Sequence, residues 1–448
     1  MSSSLRALKT RNYRLWVSGT VVSNTGTWVQ RTSQDWLVLT ELTHHSGLAT
    51  GITTGLQFAP LMLFSAHAGV LADRLPKRKV LLCTQSIMGV SALLLGVLVV
   101  THTVQLWHVF ACALLLGCGT ALDNPSRQAF VSEVVPRADV PSAVSLNSAS
   151  MNISRLIGPG VAGLIIAAWG TGPGFLINAA SFAAVLIALT RMRQSEMYVS
   201  NRLPRKSGQV REGLRYVRQR PDLILIFAIT GLVCTFAYNW QITNALMASG
   251  AFHRGPREYG LLGSAMAVGC LTAALLNARR ERPRIALVIW AVLGLGVTMT
   301  LGALVPSYLT YAIALVPIGL CSITYLNSAN TSVQLTTEAR FRGRVLALYV
   351  ALQQGTTPIG APIVGWLGSE FGARWSVIVG GLSAVVAGLL GALVLRWKPV
   401  ISSEYASAMR ACAAESTLTV PVVPEQTAEI ADVDALSPDV ADPRAHPR

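Results

Sequence analysis

Arg155 is the residue whose placement demands most of its neighbours. It falls near the middle of residues 143–168, an apolar run long enough to cross a bilayer, where a guanidinium that cannot shed its proton costs at least ~2.5–3.5 kcal/mol. Three roles answer that cost: binding an anionic or carbonyl-bearing substrate, holding a carboxylate whose protonation follows solvent access, or closing a structural ion pair. A coupling proton needs a different carrier, and carboxylates within the apolar runs are few. Asp35 lies one turn beyond Arg31, at i+4, where the two can neutralise each other. Asp123 lies at the inner end of another run. Burial and a nearby arginine act on a carboxylate in opposite senses, so both are candidate proton-coupling sites. For Asp35 the competing reading is a structural pair near the outer surface.

Polar side chains recur around these groups at helical spacing. Asn24, Thr27, Arg31 and Gln34 form one stripe, and Ser148, Asn152, Arg155 and Pro159 form a second. Thr235, Asn239 and Thr243 make a third, Asn327, Asn330 and Gln334 a fourth, and Gln353, Gln354 and Thr357 a fifth. In lipid such stripes face a watery cavity, or they serve as polar glue between packed helices at ~0.6 kcal/mol per hydrogen bond. Other apolar runs are nearly free of polar groups, which favours a polar midplane cavity between two bundles. The candidate substrate-cavity residues are therefore Asn24, Thr27, Arg31, Gln34, Asn152, Arg155, Asn239, Thr243, Asn327 and Gln354.

The elements that must position these residues are transmembrane helices. A chain that is 52% hydrophobic and only 13% charged is a polytopic membrane protein rather than a soluble domain. Twelve spans are expected, at 15–38, 48–72, 79–100, 106–124, 143–168, 173–191, 223–246, 258–278, 284–304, 308–328, 346–368 and 375–396. At this length and apolarity only helices satisfy their own backbone in lipid, so the fold class is an all-α membrane protein. Of the seven cysteines six fall inside spans, with no Cys-x-x-Cys or Cys/His grouping, so neither a disulfide framework nor a metal site is expected.

Lysine and arginine fix the orientation. Segments on one side of this topology carry 28 of them, against three (Arg254, Arg257 and Arg374) on the other. Basic residues in short loops stay cytoplasmic, so both termini are expected inside. The formal charge of +15 thus reflects membrane topology and not nucleic-acid binding. The domains read as a cytoplasmic N-terminus (1–14), a first six-helix bundle (15–191), a basic linker with an amphipathic helix (192–222), a second bundle (223–398) and a disordered acidic tail (399–448). Gly158-Pro-Gly-Val-Ala-Gly163 and Gly360-Ala-Pro-Ile-Val-Gly365 occupy matching places in the two bundles, 202 residues apart. Gly47, Gly51 and Gly55 open the second span and allow another helix close approach.

Between spans two and three runs Gly69-Val-Leu-Ala-Asp73-Arg74-Leu-Pro-Lys77-Arg78-Lys79. It resembles the signature loop of the major facilitator superfamily, with Pro76 where members often carry glycine. The Gly158-Pro159-x-x-x-Gly163 run is similar to the motif that antiporters of the superfamily carry on span five. Asp123-Asn-Pro-Ser-Arg127-Gln-Ala-Phe130, with Arg155-Leu-Ile-Gly-Pro159, resembles the exporter branch related to the enterobactin exporter and macrolide efflux proteins. The resemblance implies two pseudo-symmetric six-helix bundles and alternating-access export of a drug-like or secondary-metabolite molecule in exchange for protons, in the bacterial cytoplasmic membrane. Gating roles are implied for Gly69, Asp73, Arg74, Lys77, Arg78, Arg127, Gly158, Pro159 and Gly163. The arginine that many proton-coupled members carry on span four is missing here.

No Walker loop, dinucleotide fingerprint or catalytic Ser/Cys/His grouping is present, so no enzymatic activity and no cofactor is expected. The proton motive force supplies ~2.3 kcal/mol per charge per 100 mV, about a fiftyfold gradient. The expected partners are a small-molecule substrate, protons and the lipid bilayer, with the protein acting as a monomer. Solute uptake, a lipid flippase and a non-transporting receptor are the alternatives the same scaffold allows.

Overall fold

The computed structural model describes residues 3–198, 209–278 and 285–418. They form helices joined by short turns. The first half contains α1 (Arg11–Trp36), α2 (Gly47–Arg74), α3 (Lys77–Val100), α4 (Leu106–Val134), α5 (Val140–Trp169) and α6 (Gly172–Arg191). After the short α7 (Gln209–Arg218), the second half contains α8 (Pro221–Phe236), α9 (Trp240–Leu246), α10 (Pro256–Ala278), α11 (Ile285–Leu304), α12 (Tyr308–Thr336), α13 (Ala339–Gly355), α14 (Thr357–Glu370), α15 (Ala373–Trp397) and α16 (Pro399–Leu418).

Among the described residues, ten helical segments are long and apolar enough to cross a membrane. The two expected spans that fall short are the first and the eleventh. α1 is an unbroken helix of 26 residues, but the stripe through Asn24, Thr27, Arg31 and Gln34, together with Asp35, makes it too polar. The eleventh is broken into α13 and α14. Pro358 has no N–H for the Gln354 carbonyl, so the ladder stops at Gly355 and restarts at Thr357. The seventh also departs from one continuous helix. Asn239 Nδ2 donates to the carbonyls of Thr235 at 2.8 Å and Phe236 at 3.4 Å, and this side-chain competition separates α8 from α9.

Packing divides at the linker. α1 lies against α5 and α6, and both α2 and α3 lie against α4, all within the first half. α8 packs on α15, α10 on α12, and α11 on α12 and α15, all within the second. The halves meet mainly along α2 with α14 and α5 with α10. Small residues permit both contacts. A methyl at Gly47 or Gly51 would strike the carbonyls of Gly365 or Ala361, and one at Gly163 would strike Pro256 and Gly260. The Gly47 N–H also donates to Ser369 Oγ at 2.7 Å, across the two halves. At the opposite end, Ser148, Met151 and Asn152 of α5 and Asn327 and Gln334 of α12 are exposed. The assembly is closed where α2 begins and open where α5 begins.

Two segments differ from the sequence reading. The tail is not irregular from Pro399: α16 extends to Leu418, with Ile401 and Tyr405 buried. Tyr405 and Ser332 share a hydroxyl–hydroxyl bond of 2.8 Å, so a few apolar positions suffice to dock a helix onto α12. Residues 419–448 lie outside the described residues. The linker helix α7 buries Tyr216 and Val217 while Leu214 is exposed. Tyr216 stacks on Phe341 with centroids 4.6 Å apart, and Arg344 reaches Glu212 at 2.6 Å. Part of its apolar face is thus taken by α13.

Candidate functional site

A cavity of about 200 Å³ lies between the halves, at the level where α8 and α13 break. From the first half it is lined by Trp28, Arg31, Thr54, Phe58 and Arg155. Tyr238, Asn239, Trp240, Tyr259, Cys270 and Thr357 line it from the second. Arg31 and Arg155 come from neighbouring helices and share one aromatic ring. Each guanidinium carbon is 5.5 Å from the Trp28 centroid, and that of Arg31 is also 5.6 Å from Phe58. The ring quadrupole attracts both cations. No ion pair or hydrogen bond engages either guanidinium among the described residues, and Nε of Arg31 is buried without an acceptor.

Gly158 explains how α1 and α5 come close enough for this arrangement, because a methyl there would collide with the Trp28 side chain. Pro159 and Gly163, on a neighbouring face of α5, pack against Gly260 and Gly263 of α10. The motif therefore touches both the cavity wall and the contact between halves.

Asp35 does not line the cavity but lies behind Tyr259, which does. It is 4% exposed, and the Tyr259 hydroxyl, from the other half, lies 3.4 Å from its Oδ2 and 3.4 Å from the Gln241 carbonyl. Tyr259 is stacked on Trp36 with centroids 5.7 Å apart. The expected i+4 neutralisation of Asp35 by Arg31 is not made as a salt bridge among the described residues. Arg31 turns instead toward Trp28 and Phe58.

Asp123 occupies a different environment. Its Oδ1 accepts from Thr84 at 2.9 Å and Gln85 at 2.7 Å, and its Oδ2 pairs with Arg127 Nε at 3.0 Å. Arg127 in turn lies over Trp16, 5.5 Å from the centroid. This buried cluster ties α3, α4 and α1 together, away from the cavity.

The remaining sequence candidates scatter. Arg31, Arg155, Pro159 and Asn239 line the cavity, as does Thr357. Asn24 instead bonds Ser150 at 3.3 Å between α1 and α5, and Thr27 returns to the Ser23 carbonyl at 2.8 Å. Gln34 and Thr243 are buried in packing. Asn152 folds back on the Ser148 carbonyl at 2.9 Å, Asn327 is exposed and Gln354 is half-buried. Of the basic turn, Lys77 is buried and Arg78 donates to the Thr190 carbonyl at 3.1 Å. Gly69, Asp73 and Arg74 are in the last turns of α2, and their side chains lie outside the described residues. Sequence periodicity missed the aromatic wall of Phe58, Tyr238, Trp240 and Tyr259. Only Trp28 left a signal, since it falls between Asn24 and Arg31 on the polar stripe of α1.

Residues 2–425 match the family described as transmembrane secretion effector. The multidrug efflux pump Tap of Mycolicibacterium fortuitum is 27% identical, over 81% of this chain and 90% of its own length. The staphyloferrin A transporter of Staphylococcus aureus is 25% identical, over 80% and 90%. The enterobactin exporter EntS of Shigella flexneri is 25% identical, over 80% and 85%. Among solved structures, a bacterial homologue of the human lysosomal transporter Spinster, inward-facing and unoccupied, superposes with a TM-score of 0.65 at 15% identity. That similarity covers 91% of this chain and 94% of the other. A match running nearly the length of the chain, on a fold of helical halves around a central cavity, identifies this protein as a member of the transmembrane secretion effector family of major facilitator transporters.

Proposed function

We propose that this protein is a secondary active exporter of a drug-like or secondary-metabolite molecule, working by alternating access in the bacterial cytoplasmic membrane. In this reading twelve crossings form two six-helix bundles, with the broken seventh and eleventh helices each counted once. The basic loops place both termini inside, so the open end of the cavity faces the cytoplasm and the Gly47 end is the outer seal. The observation that carries the reading is the cavity itself: polar and aromatic groups from both halves converge where two helices are interrupted, the usual place for substrate in this kind of transporter. The efflux relatives support the outward direction. The proton motive force is the energy source, and Asp35 is the group we assign to bind and release a proton, because its hydroxyl neighbour belongs to the opposite half. Asp123 and Arg127 hold the first half together.

A growth-inhibition panel tests this directly. Cells producing the protein should tolerate at least one compound better than cells producing Arg155→Ala at equal membrane abundance. Everted vesicles should accumulate that compound only when energised. A panel in which production never changes tolerance would defeat the export reading.

A further inference from the structure

The cavity presents two guanidinium groups and no carboxylate opposite them. Arg31 and Arg155 both lie against Trp28, neither is ion-paired among the described residues, and Nε of Arg31 is buried and unpaired. A guanidinium keeps its charge and offers planar, forked donors that match an oxyanion. Two of them side by side repel each other until an anion is placed between them. Asp35 lies close enough to Arg31 for their charges to interact, but it bonds the Tyr259 hydroxyl and makes no salt bridge to Arg31 among the described residues, so the forked donors of both guanidinium groups stay open. Around the cations the walls are flat rings: Trp28, Phe58 and Trp240.

We propose that the substrate is a small aromatic anion. Its carboxylate or phosphate is held by Arg31 and Arg155, and its ring lies along the aromatic wall. This names the substrate class of the export site described above, and it depends on that reading only for the direction of movement. A neutral ligand leaves both guanidinium groups unpaired, and a cationic one adds a third like charge. The charge also decides which part of the proton motive force acts on the ligand. An inside-negative potential pushes a bound anion outward in addition to what an inward-moving proton contributes.

Thermal unfolding of the full-length protein in detergent, with three ligands sharing one ring, separates these possibilities. The probes are 2-naphthoate, 2-naphthamide and 2-naphthylmethylammonium at millimolar concentration, since whatever binds the native state raises its unfolding temperature. Naphthoate is expected to bind about tenfold more tightly than the amide, with no stabilisation by the ammonium. Arg155→Gln, whose side chain faces the cavity, should bind naphthoate and the amide alike. Arg155→Lys should keep part of the preference, which shows that charge and not a folding defect is being read. Equal affinities in the native protein, a preference for the ammonium, or no stabilisation by naphthoate would each overturn the proposal. The readout is equilibrium binding, so the direction of transport neither rescues nor condemns it.

Discussion

Gly158 and Trp28 are packed so closely that a single methyl group on the glycine would displace the tryptophan. The Trp28 ring in turn carries the guanidinium groups of both Arg31 and Arg155. A glycine that contributes no side chain to the cavity thus sets the position of its two cations. The matching glycine of the second half, Gly360, packs in the same way against the Thr235 carbonyl on α8. Gly163 and Gly365, five residues along each motif, face the opposite half at Gly260 and Gly47 respectively. The repeat visible in the sequence is therefore a repeat of function: one glycine packs within its own half and the next across to the other.

Gly158→Ala tests the first of these contacts. Overpacking of this kind costs about 1–3 kcal/mol, so the variant should insert into the membrane with a lowered unfolding temperature. Its transport should fall further than its abundance, because moving Trp28 moves both arginines. Tolerance assays normalised to membrane abundance measure the difference.

Asp35→Asn addresses the proton. The charged groups around position 35 are Arg31 on the same helix and, from the opposite half, the ionisable Tyr259 hydroxyl. Exchange requires that the proton and the anion cross on separate strokes, so loss of the Asp35 carboxyl should uncouple export from the pH gradient while leaving the site able to bind. Asp35→Asn should still bind 2-naphthoate, with an affinity that no longer changes with pH. Binding titrations at several pH values would expose a persistent pH dependence in the variant, and that result would move the protonation site elsewhere.

Asp123→Ala removes one partner of a buried pair and leaves Arg127, whose side chain is only 16% exposed, without its carboxylate. Breaking such a pair costs about 3–5 kcal/mol. The unfolding temperature in detergent should drop clearly, whereas the ligand preference of whatever protein remains folded should be unchanged. A folded variant with altered naphthoate affinity would bring Asp123 into the binding site after all.

Cys270 is a natural reporter of access, since it lines the cavity. In a variant with the other six cysteines changed to serine, a membrane-impermeant maleimide should label Cys270 in everted vesicles but not in intact cells. 2-Naphthoate should slow that labelling. Labelling from outside intact cells would mean that the Gly47 end is the one that opens.

The sequence by itself determined that this is an all-helical membrane protein. Apolar runs long enough to cross lipid must be helices, so that conclusion does not wait on tertiary contacts. Periodicity also drew attention to Arg31, Arg155 and Asn239, because polar groups are costly in lipid wherever they point. Only the tertiary structure decided which polar residues face the cavity. Gln34 and Thr243 share stripes with cavity residues yet are buried in packing, a distinction set by a fraction of a helical turn. Phe58, Trp240 and Tyr259 could not be told from core residues, since an aromatic side chain in an apolar helix suits lipid, packing or ligand equally well. Their convergence depends on α2 meeting α14 and α5 meeting α10, contacts between residues far apart in the chain. Such contacts leave no local trace beyond a glycine where two backbones must touch.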